Sequence, residues 1–180
     1  MITLRNIISN LSHGQSSIKV SVILDDLNRY YNSIKDSIRL TYAKQLGSGM
    51  IIYFKIPSEK DKTKFYDICV YAGTKDKINL DTQIKIYSNS PHFAFNFAYV
   101  YYKEGALLFS ELYPSEFKTL EPVKKNPNLN KGFDKHSYAC FKYLTQYKNL
   151  SELSDEFKDQ SEPTLKPFQL TKEEKEVKLG

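Results

Sequence analysis

Three features of this sequence predict an α+β fold: a mostly antiparallel sheet of about five strands, a long helix before it, a second helix after it and an extended C-terminal arm. First, residues 50–72 hold two runs dense in branched and aromatic residues, MIIYFKI and KFYDICVYA, separated by the charged PSEKDKT; this is the pattern of a hairpin with a solvated loop. Second, apolar residues recur at three- and four-residue steps on both flanks, as Leu27, Tyr31, Ile34, Ile38 and Tyr42 before the hairpin and Cys140, Phe141, Leu144 and Tyr147 after it. Third, the chain beyond Pro163 has spaced prolines, few apolar residues and alternating charges, a composition that does not fold alone in water. Residues 1–150 therefore read as one domain, and 151–180 as a short helix followed by the arm.

In chain order, Ile2, Leu4, Ile7, Ile8 and Leu11 fit a short amphipathic helix, and SHGQSS breaks it with small polar residues. Asp25 or Asp26 suits the N-cap of the long helix, Asp25 and Arg29 stand at i,i+4, and Gly47 supplies the stop. Residues 20–24 either begin that helix early or form a short strand. After the hairpin, TQIKIYS alternates as a third strand. The run SPHFAFNFAYVYY places Phe93, Phe95, Phe97, Tyr99 and Tyr101 at every second position, which predicts a fourth strand with one aromatic face. KEG then turns into ALLFSEL, a fifth strand. Residues 121–132 read as a loop, Asp134 as the N-cap of the second helix, and SELSDEFKDQ as one more short helix.

The aromatic face reads mainly as core. A base-stacking platform would interleave lysine or arginine to attract phosphate, and nothing basic lies between His92 and Lys103. The opposite positions, Ala94, Asn96, Ala98 and Val100, are small enough for a helix or a second chain to approach.

Composition narrows the class further. Tyrosine (14) and phenylalanine (11) are abundant while tryptophan is absent and glycine scarce (7), the usage an AT-rich coding sequence produces. The net charge of +5 is uneven: eight acids and five lysines give residues 151–180 a charge of −3, which leaves +8 on the body. Cys69 and Cys140 have no metal-like spacing, and no secretory leader is visible, so a reducing intracellular setting is expected. No apolar run approaches the roughly 18 residues of a membrane span, so no membrane partner is expected.

Chemistry-bearing motifs are sparse. His136 and Cys140 lie one helical turn apart with Asp134 nearby, a spacing that can pair a thiol with a base, but no third ligand or oxyanion loop accompanies them. His13 and His92 have no companion at ligand spacing. The GSG at residues 47–49 lacks the rest of a phosphate-binding loop and reads as a helix stop and hinge. Asp25, Asp26 and Asp36 read as capping and solvated residues. No enzyme activity and no cofactor are expected.

Lysines cluster in loops, as Lys60, Lys62 and Lys64, as Lys75 and Lys77, and as Lys124, Lys125 and Lys131. Sharing one sheet edge, they would form a cationic rim suited to DNA phosphates or to an acidic protein. In the arm, Leu165, Phe168 and Leu170 are the apolar residues able to anchor an extended peptide in a neighbour's groove or beside a sheet edge.

The stretch from SPHFAFNFAYVYYKEGALL through PVKKNPNLNKGFDKHSYACFKYL, within residues 49–148, resembles small virion proteins of tailed phages of low-GC Gram-positive bacteria, namely neck, head–tail connecting or capsid-associated components. The resemblance implies a non-enzymatic structural protein present in repeated copies in the virion, assembled in the host bacterial cytoplasm. Its arms would reach other virion proteins or copies of itself. The alternative is a small nucleic-acid-associated or regulatory protein that uses the cationic loops for non-specific contact with DNA.

Overall fold

The architecture is α+β, organised on one antiparallel five-stranded sheet. The computed structural model describes residues 1–10, 20–122, 126, 129, 132–169 and 172–173. The strands are β1 (Ile2–Thr3), β2 (Arg39–Leu46), β3 (Gly49–Pro57), β4 (Phe65–Ala72) and β5 (Gln83–Ser88), in spatial order β1-β5-β4-β3-β2. The helices are α1 (Leu4–Asn10), α2 (Val20–Ile34), α3 (Pro91–Asn96), α4 (Ala98–Lys103), α5 (Glu116–Thr119), α6 (Lys135–Leu144) and α7 (Glu152–Glu156). The expected strands at the central hairpin and at TQIKIYS, the Asp134 cap and the short helix after residue 151 are all present.

Several expectations are corrected. The long helix begins early, at Val20, but ends at Ile34 in a 3₁₀ turn (Lys35–Ser37), and Ile38 and Tyr42 belong to the approach to β2 and to β2 itself. Gly47 does not stop a helix. It has φ +60 and, with Ser48 at negative φ, closes the two-residue β2–β3 hairpin in the arrangement that needs glycine first. Ile34, Ile38 and Tyr42 stand four residues apart, an even spacing that fits a helix and a strand alike, and the turn chemistry decides. The Asp25–Arg29 pair is replaced by Asp26–Arg29 at 3.0 Å.

The aromatic run is helical, not a strand. Pro91 sits in the first turn of α3, where its missing N–H costs nothing. A period of two also contains a period of four: Phe93, Phe97 and Tyr101 stack along one face, with Phe93 5.4 Å from Tyr101 between ring centres. Phe93 and Tyr101 are wholly buried, and the alanines between them favour the helix. The expected fifth strand reduces to one parallel bridge in which Leu108 N–H donates to Ile86 and Ile86 N–H to Ala106; a left-handed Phe109 (φ 50) and a 3₁₀ turn (Ser110–Leu112) follow.

Alternation along the strands sorts the sheet into two faces. Met50, Ile52, Phe54, Ile56, Ile68, Val70, Ala72, Ile84 and Ile86 share one, all but fully buried, and meet α6, where Phe54 packs edge-on to Tyr143 at 5.8 Å. On the other face Tyr42, Tyr53, Cys69 and Tyr87 are register partners in one row across four strands. An extra residue in β2 between Leu40 and Tyr42 sends those two side chains to opposite faces.

Candidate functional site

The buried polar cluster lies at the N-terminus of α6. Asp134 caps the helix by accepting Ser137 N–H at 3.2 Å, and its other oxygen lies 3.0 Å from His136 Nδ1. Ser90, in the loop after β5, brings Oγ to 3.4 Å from the same nitrogen. Asp134 is fully buried; burial alone would raise its pKa, but the hydrogen bonds from His136 and Ser137 outweigh it and hold the carboxyl below its ordinary value. Tyr30 and Tyr66 stand edge-on to the imidazole at 5.8 and 5.0 Å. His136 Nε2, Tyr30 Oη and Ser137 Oγ have no hydrogen-bond partner among the described residues. A cleft of about 470 Å³ beside them is lined by Ser58, Tyr66, His92, Lys135 and His136 among others.

Among the described residues no side-chain nucleophile is hydrogen-bonded to His136 Nε2. A nucleophile must face the imidazole nitrogen opposite the one that the carboxylate orients. Ser90 shares Nδ1 with Asp134 instead. Cys140, one turn along α6, is fully buried, burial pushes its thiol up, and no hydrogen bond joins it to His136 among the described residues. The group therefore caps α6 and fastens it to the end of the sheet. Among the described residues no three His, Cys, Asp or Glu side chains gather as a metal would require. His13 lies outside the described residues.

The second site is the aromatic face of the sheet, and the arm occupies it. After α7, Phe157 packs on Tyr42 at 6.0 Å between ring centres. Glu162 accepts hydrogen bonds of 2.5 Å from both Lys44 Nζ on β2 and Tyr53 Oη on β3. Tyr87 on β5 donates to the Lys166 carbonyl at 3.3 Å, and Phe168 N–H donates to the Leu112 carbonyl at 2.8 Å. Phe168 enters a slot formed by Tyr113, stacked at 6.0 Å, and Phe117, edge-on at 5.3 Å. From Glu162 to Lys166 the extended chain spans roughly 13 Å, enough to cross two strand spacings of about 5 Å each. The arm thus runs across the strands, read by side chains at both ends.

The contacts set the electrostatics of Glu162. Partial burial opposes its charge, yet the hydrogen bonds from Lys44 and Tyr53 prevail and lower its pKa, while the bond to Glu162 raises that of Lys44. Burial pushes Tyr53 up, and Tyr87 up to about 12.

Of the expected anchors, Phe168 is buried (8 % exposed) and Leu165 half-buried, both packed on the core of their own chain; Leu170 lies outside the described residues. Sequence reading missed the receiving residues Lys44, Tyr53, Tyr87, Tyr113 and Phe117. They come from four separate segments, and only the sheet register brings them together.

The cationic rim does not form as one edge from the lysines that are described. Lys60, Lys62 and Lys64 lie in the β3–β4 loop, and Lys75 and Lys77 in the β4–β5 loop. These loops are at opposite ends of β4, whose eight residues span roughly 26 Å. Lys124, Lys125 and Lys131 lie outside the described residues. No described helix is long and apolar enough to cross a membrane.

In comparisons with known proteins, no family model matches the chain, and neither a curated protein nor a solved structure matches it.

Proposed function

We propose that this protein is a non-enzymatic structural component of a phage virion, assembled in the host bacterial cytoplasm. It makes repeated protein–protein contacts with copies of itself or other virion proteins through its sheet, loops and C-terminal arm. The observation that carries the reading is the arm site: a sheet face that holds an extended peptide through an acid clamp at one end and an aromatic slot at the other. Peptide-in-groove recognition of this kind joins subunits without any catalytic group. The Asp134–His136 pair, used in capping, supports the non-enzymatic half. Peptides of this chain are expected in gradient-purified particles of the phage that carries it, in a fixed ratio to the other particle proteins. Their absence from washed particles would sink the proposal.

The second reading, non-specific DNA contact, is favoured by three exposed lysines on the one short β3–β4 loop. It predicts binding that falls steeply with salt, as counterion release requires, whereas an apolar assembly contact would persist.

A further inference from the structure

From the way the arm is held we infer that residues 162–168, EPTLKPF, are an exchangeable arm, docking in the same groove on a neighbouring copy when copies are held together. The inference rests on the assembly reading above and names its segment and its receptor.

Three observations carry it. The hydrogen bonds and ring contacts that hold the arm among the described residues are with residues far away in the chain, Lys44, Tyr53, Tyr87, Leu112, Tyr113 and Phe117, so a second copy supplies an identical receptor. The charges are complementary within the pair, since Glu162 meets a lysine ammonium and a phenol that both donate to it. The segment that joins the arm to the body, residues 158–161, is exposed along its whole length, so redirecting it uncovers no core. Pro163 and Pro167 add to this: they keep the arm extended and remove two backbone donors, so side chains at fixed spacing, an acid followed three and six residues later by leucine and phenylalanine, specify the fit. Segment exchange of this type keeps every native contact and changes only the chain that makes it. A short tether competes at an effective concentration on the order of 1 mM, so exchange belongs to the crowded, assembled state.

Mixed full-length variants test this. Thr41 and Thr164 line one depression of about 340 Å³ between sheet and arm, and the native Cys69 and Cys140 are buried. Thr41→Cys and Thr164→Cys chains are mixed in equal amounts, at concentrations up to about 1 mM, and treated with a short bismaleimide. The expected result is a heterodimer between the two variants, several-fold above either variant alone and rising with concentration. Adding Phe168→Ala to the Thr164→Cys chain should lower it several-fold. The double variant in one chain reports the closed arm as an internally bridged monomer. That product without any heterodimer at the highest concentration overturns exchange. Light scattering on the same samples separates the two readings: an oligomer without heterodimer leaves assembly standing and removes exchange, whereas a monomer throughout removes self-assembly as well.

Discussion

Tyr53 on β3 donates a 2.5 Å hydrogen bond to Glu162, more than a hundred residues later in the chain, and this contact fixes the point at which the arm turns onto the sheet. The same carboxylate takes the Lys44 ammonium, so one residue pins the arm to two adjacent strands.

Glu162→Gln should loosen the arm without unfolding the body. The pair is partly exposed and screened, so its worth to global stability is below about 1 kcal/mol. Amide exchange is the sensitive readout, and Phe168 N–H should exchange faster in the variant. The folded pKa of Glu162 is lowered, so its contribution is in place above the pKa of an unfolded glutamate, about 4.3, and is lost as pH falls through the lower folded value. Arm protection should therefore drop on acidification in the native chain and lack that step in the variant.

Phe168→Ala removes the apolar anchor. Truncating a buried phenylalanine costs about 3–5 kcal/mol when the whole fold depends on it. The arm can leave while the sheet stays folded, so the loss in global unfolding is capped at the docking free energy. Limited proteolysis should cut residues 158–168 in the variant at protease levels that spare the native chain. Equal resistance would show that Phe168 does not hold the arm.

Asp134→Ala leaves His136 and the α6 N-terminus without their partner. Losing the cap costs about 0.5–2 kcal/mol and leaving a buried polar group unpaired about 1–3 kcal/mol, whereas Asp134→Asn keeps a capping oxygen and should cost less. With its folded pKa lowered, Asp134 stabilises the protein above the usual aspartate range, and that contribution disappears as pH falls through the folded value. Urea midpoints against pH should show this acid limb in the native chain and a flatter one in Asp134→Asn.

Gly49→Ala should be disruptive. A β-carbon there would lie 2.3 Å from the Ala72 carbonyl oxygen, a backbone atom with little freedom to move. A penalty of about 1–3 kcal/mol is expected from overpacking, seen as a lowered thermal midpoint. Unchanged stability would mean the β3–β4 pairing relaxes locally.

Both thiols should react slowly with maleimide in the native protein and fast in denaturant, because Cys69 and Cys140 are buried and burial pushes their pKa values up. Rapid labelling of native Cys140 would reopen the thiol chemistry that its spacing from His136 suggested.

Local chemistry made much of the fold readable in the residues themselves. Branched and aromatic runs define β3, β4 and β5, the charged PSEKDKT defines a loop, and Asp134 announces α6 because a short acid before an apolar-periodic run satisfies free N–H groups. Where one spacing serves two structures, the residues alone were insufficient. The aromatic run satisfies period two and period four together, and its helix follows from Pro91 in the first turn and from the pocket closing over Phe93 and Tyr101. Tyr42 faces the arm because an extra residue in β2 turns it away from Leu40. The arm site was half legible: Leu165 and Phe168 stood out as apolar residues in a polar tail, but a groove built from β2, β3, β5 and residues 112–117 exists only once the strands are in register. Sequence thus determines which segments can be strand, helix or arm, since that depends on neighbours within a few residues. Tertiary structure decides which side chains meet, since contacts across a hundred residues depend on register and packing.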